Sequence, residues 1–112
     1  MSVSFEKIGQ VVVTCRTNGT VEGGQMVKIT ANDTVETCAA GDKFCGQAVS
    51  IARDGMIAVQ VKGFMEVDCA DETVTAGWAK VAADGNGGIK TAENGQEVLV
   101  MNAHGGKAVV CL

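Results

Sequence analysis

The sequence predicts an all-β fold, a single small β-barrel or β-tulip-like domain of short strands joined by glycine turns, and three observations predict it. Apolar residues make up 46% of the 112, and they are mostly Val and Ala, with three Phe, one Trp, no Tyr and only two Leu. Val is stiff at its first side-chain torsion and favours strands, whereas Leu is the usual filler of helical cores. Fifteen glycines and no proline, together with Asn and Asp, break the chain into runs of strand length. Within those runs apolar and polar residues alternate with the period of two that a pleated strand requires.

The runs follow in order. Residues 10–16 (QVVVTCR) are β-branched and extended, and they end at TNGT, whose Asn-Gly pair is a strong hairpin signal. Residues 25–31 (QMVKITA) alternate up to an Asn-Asp turn. Residues 34–39 (TVETCA) lead into AGD. Residues 43–52 (KFCGQAVSIA) carry a glycine inside the run, the mark of a bulge or of a close backbone approach. After the RDG turn, residues 56–69 form the longest run. Its alternation passes through Gly63, so one bent strand or two strands sharing a corner are expected. Residues 70–77 (ADETVTAG) are a connection, and over 70–80 the Thr and Gly residues oppose a long helix. Residues 78–84, 89–92, 97–103 and 107–112 are the remaining strands, separated by GNGG and HGG turns.

A weak internal echo runs through the chain. Residues 24–33 resemble 77–85, 37–42 resemble 91–96, and 54–61 resemble 105–112, at an offset of about 51 to 54 in each case, the pattern of two similar halves. At this length one domain is expected. Residues 15–112 are read as a single β domain, and residues 1–14 as an N-terminal arm leading into the first strand.

Composition excludes some functions. The net charge is −4 and the nine Lys and Arg are scattered, so no basic face is available to displace counterions from nucleic acid. No apolar run approaches the ~20 residues of a helical membrane span. The opening MSVSFEKIGQ lacks the basic start and apolar run of an export signal. The five cysteines, at 15, 38, 45, 69 and 111, are odd in number and include no Cys-x-x-Cys pair. They read as reduced, small hydrophobes in strands rather than zinc ligands.

Candidate chemical groups are few. His104 is the only histidine, and it opens the HGG turn, with no spacing that announces an orienting acid or a nucleophile. Glu66, Asp68, Asp71 and Glu72 lack the EF-hand pattern and read as a solvated acidic connection. GNGG at 85–88 lacks the Lys-Ser/Thr of a phosphate loop and reads as a hairpin turn. Trp78 opens a strand, either as a core plug or as an anchor for a partner.

The order of these features resembles a known family. The run from Gly23 through GGQMVKITAND, AAGDKFCGQAVSIARDG and IAVQVKGFMEV to AGWAKVAADGNGGIKTA is similar to the small phage proteins known as capsid cement or head decoration proteins. The residues that carry the likeness are Gly24, Gly41, Gly46, Ala48, Val49, Gly55, Val59, Val61, Gly63, Ala76, Gly77, Ala83, Asp84 and Gly85. It implies a non-enzymatic virion protein, made in the host cytoplasm, that sits on the outer capsid surface and ties neighbouring major capsid proteins together. It also implies a homo-oligomer, a trimer being favoured, with no cofactor, no metal, no nucleic acid and no membrane. Expected contacts with the capsid are Phe5 and Ile8 on the N-terminal arm, and Trp78. The alternatives are another phage structural component, from the tail tube, head completion or baseplate, and a small metal-binding β-barrel using His104 with some of the cysteines.

Overall fold

A computed structural model describes residues 9–50 and 53–112. The described residues contain ten strands and no helix: β1 (Val11–Thr17), β2 (Met26–Ala31), β3 (Thr34–Thr37), β4 (Gly46–Ala48), β5 (Met56–Lys62), β6 (Phe64–Asp68), β7 (Gly77–Ala83), β8 (Ile89–Thr91), β9 (Gln96–His104) and β10 (Lys107–Cys111). The all-β class holds. β1 to β5 close into a barrel in the order β1-β3-β2-β4-β5, and β6 to β10 form a five-stranded sheet in the order β6-β10-β9-β7-β8.

The two orders are the same. Adding five to each strand number turns the sequence β1-β5-β4-β2-β3 around the barrel into β6-β10-β9-β7-β8. The internal echo in the sequence therefore has a counterpart in topology. Register carries it to residues: Val27 pairs with Thr37 on β2 and β3, and Val81 pairs with Thr91 on β7 and β8. On that register Trp78 stands where Gly24 stands in the first half, one or two places from the Gln25 or Met26 that the sequence echo gives.

What differs is closure. The barrel is sealed by a short parallel contact of β1 with β3, Arg16 opposite Thr34 and Thr17 opposite Val35, whereas β6 and β8 do not pair. Two buried glutamines account for the difference. Gln60 Nε2 donates to the carbonyls of Lys62 at 3.1 Å and Phe64 at 2.9 Å, and Gln47 Nε2 donates to Gly24 O at 3.1 Å and Glu66 O at 2.8 Å. Side-chain amides from the barrel thus occupy carbonyls of β6 that a strand would otherwise take. A buried carbonyl without a partner would cost about 1–3 kcal/mol, and every buried side-chain polar atom among the described residues has a partner.

The corner between the halves is Gly63. It lies at φ +97°, and a Cβ there would stand 2.6 Å from Gly9 O, so only glycine fits. Its N–H and C=O are bonded to Leu112. The long run at 56–69 is two strands sharing this corner. Gly46 confirms the other glycine inference, since a Cβ would come within 2.2 Å of Gln60 O.

Each half has its own core, and the cores are not independent. Val27, Val35, Ala48, Ile57 and Val59 fill the barrel. Met65, Val67, Val81, Ile89, Val100 and Val110 fill the second cluster, which also takes Met26 and Phe44 from the first half. Backbone bonds cross the same boundary, from Met26 N–H to Gly87 O at 3.0 Å and between residues 41–42 and Ala83.

Some expectations change. The Asn-Gly pair at 18–19 makes no hairpin, because β1 pairs with β3 and β5 rather than β2. Asn18 instead donates its N–H to Val35 O and its amide to Glu36 at 3.1 Å, which helps hold the crossover. The run at 43–52 shortens to the three residues of β4. Residues 11–14, counted with the arm, belong to β1. Phe5 and Ile8 lie outside the described residues.

Candidate interaction surface

The second sheet buries one face, and its other face carries the candidate site. Along β9 Val98 and Val100 are buried, so Leu99 between them points outward. The same parity turns Cys111 outward on β10, Phe64 on β6 and Trp78 on β7. Register then lines them up: Trp78 is opposite Leu99, Leu99 opposite Cys111, and Cys111 opposite Phe64. Four neighbouring strands at ~4.8 Å spacing make an apolar row of about 14 Å.

Trp78 is 70% exposed, more than any other large apolar side chain among the described residues. The core-plug reading is thus removed. Beside it opens a groove of about 430 Å³ lined by Leu99, Cys111, Leu112, Val61 and Cys45, with Lys62, Gln96 and Glu97 at its rim. The chain has one Trp and two Leu, and all three line this groove. Charged residues flank the row, with Lys80 opposite Glu97 on one side and Lys107 paired with Asp68 on the other.

The other candidates lie elsewhere. His104 is exposed at the end of β9 beside the Gly105-Gly106 turn. Glu66, Asp68 and Glu72 are exposed, while Asp71 binds its own loop: Oδ1 accepts from the Thr73 hydroxyl at 2.6 Å and the Thr73 N–H at 2.9 Å, and Oδ2 from the Thr91 N–H at 2.9 Å. Those donors hold its carboxyl down to about 2. Asp84 Oδ1 accepts from Asn86 and Gly88 N–H and shapes the 85–88 hairpin turn. All five cysteines are free thiols, and burial pushes Cys38 up to about 11, so it stays a protonated thiol at neutral pH. Among the described residues no group of three His, Cys, Asp or Glu is placed to hold a metal.

The sequence reading found Trp78 but missed Leu99, Cys111, Leu112 and Phe64. For Leu99, Cys111 and Phe64 the signal was parity, since each sits one step out of phase with the buried residues of its strand; Leu112 shares the parity of buried Val110 and packs partly against the core. A surface of this make-up can bury apolar area against another protein, with orientation set by its charged rim. A scan against protein-family models and a search of curated proteins found no match for the chain.

Proposed function

We propose that the chain is a structural virion protein that binds the outer surface of an assembled phage head and stabilises it by bridging major capsid proteins. The observation that supports this most is the gathering of the only Trp and both Leu around one open groove. The kind of partner comes from the likeness of the turn and strand order to head decoration proteins. Trp is the residue most often found to anchor an interface, where a few desolvated side chains carry most of the affinity. A cement contributes by association: when bound at a hundred times its dissociation constant, a ligand stabilises its target by about 2.7 kcal/mol.

The test uses undecorated heads and purified protein. Wild type is expected to co-sediment with heads and to raise their disruption temperature. Trp78→Ala is expected to weaken binding at least ~tenfold, about 1.4 kcal/mol. Its own stability should fall by less than ~1 kcal/mol, because the ring is mostly in water. Wild-type protein that fails to bind heads would remove the proposal.

A further inference from the structure

The second sheet covers its edges, β6 with the two glutamine amides and β8 with the Asp71 carboxylate. The barrel does not do so along the first part of β1. Hydrogen-bond parity shows which groups are free. The Thr17 N–H donates to Gly55 O at 2.9 Å on the β5 side, and the Arg16 N–H donates to Asp33 O at 2.7 Å on the opposite side. Successive residues alternate, so Val12 and Thr14 turn their N–H and C=O away from β5. β3 begins opposite Arg16, and among the described residues neither Val12 nor Thr14 has a partner on that side.

Among the described residues nothing guards this edge. Val11, Val12 and Val13 are 47%, 44% and 40% exposed, which places apolar side chains in water on both faces of the strand. Edges are ordinarily blunted by Lys, Pro, an inward charge or a bulge. Residues 9–15 contain no charged residue and no proline. The one irregularity of the ladder puts its extra residue, Val61, on β5 and leaves β1 regular.

We propose that this edge pairs with the same edge of a second copy, antiparallel about a two-fold axis, with Val12 of one copy opposite Val12 of the other. That centre matches the free groups, sets Val11 against Val13 and Thr14 against Gln10, and keeps the contact clear of β3. Centring on Val13 instead would bring Gln10 against Arg16, whose N–H is already taken by Asp33. The contact is isologous, so one neutral, β-branched segment supplies both sides and no charges oppose. Two short strands bury far less than the ~1,200 Å² of a stable interface, so the pair is weak, dissociating on the order of 100 μM.

Charges of either sign introduced at Val12 test the pairing. Sedimentation velocity from about 10 μM to 1 mM is expected to show wild type passing from monomer to dimer. Val12→Lys and Val12→Glu should each raise the dissociation constant at least ~tenfold, because like charges then face each other across the axis. An equimolar mixture of the two should recover wild-type association, since Lys then faces Glu. Both variants should keep the wild-type circular dichroism and melting temperature. Wild type that stays monomeric at ~1 mM, an oligomer indifferent to both variants (a trimer included), or a mixture that fails to associate would each overturn the pairing.

Discussion

Asp71 shows how much one side chain does where the sequence offered only an acidic connection. Its carboxylate takes the N–H of Thr91 on the outer edge of β8 and folds the 71–73 turn onto that edge. The Thr73 hydroxyl, the Thr91 N–H and the Thr73 N–H favour the ionised form, in that order, and hold the group near 2 against an ordinary 3.8. A depressed carboxylate contributes stability that is fully present above about 3.8 and is lost as pH falls towards 2. Asp71→Asn keeps the shape but carries no charge and sets an N–H₂ or a carbonyl against Thr91. Denaturant unfolding at a series of pH values should find Asp71→Asn less stable than wild type at pH ~5, with the gap closing by pH ~2. A gap that is constant across that range would mean the charge contributes nothing. No spacing rule announces this role, because Thr91 is twenty residues away and only the fold brings it near.

At the scale of the element, most strands were readable and most pairings were not. Alternation from Met56 to Asp68 through Gly63 allowed one bent strand or two strands sharing a corner, and the structure has the two, Met56–Lys62 and Phe64–Asp68. The Asn-Gly pair failed because a turn signal states local preference, while the partner of β1 is chosen by barrel closure. Gln47 and Gln60 were passed over as ordinary members of apolar runs. Their place inside those runs was the legible clue, since a glutamine buried there must find acceptors. Gln60→Leu preserves bulk but strips Phe64 O and Lys62 O of their donor, and it should destabilise the protein by about 2–4 kcal/mol. Gln60→Glu replaces that donor with an acceptor facing the same carbonyls and should be worse than Leu at neutral pH. Thermal melts of the two variants give the order directly. If leucine proves neutral, water rather than the amide satisfies the β6 edge.

For the whole molecule, the sequence echo and the shared strand order describe two copies of one design, and the cores show that the copies are no longer separable. Met26 is the clearest case. It belongs to β2 of the barrel, is fully buried, and packs in the cluster formed by the second sheet, while its N–H is held by Gly87 O of the 85–88 turn. A side chain anchored on a barrel strand and buried in the second core couples their unfolding, since the second core takes a side chain that the barrel holds in place. Met26→Ala should therefore cost about 2–5 kcal/mol. The more telling readout is where the loss falls. Amide hydrogen exchange in the variant should show protection falling together at β5, deep in the barrel, and at β9 and β10, in the centre of the second sheet. If exchange quickens only in β9 and β10 while β5 keeps its protection, the halves unfold separately and Met26 merely fills a gap. A shared fall would mean that duplication gave the chain two similar sheets but one cooperative unit. On that footing the barrel holds the Trp78 face rigid, because the corner at Gly63 and the caps of Gln47 and Gln60 fix the second sheet against it.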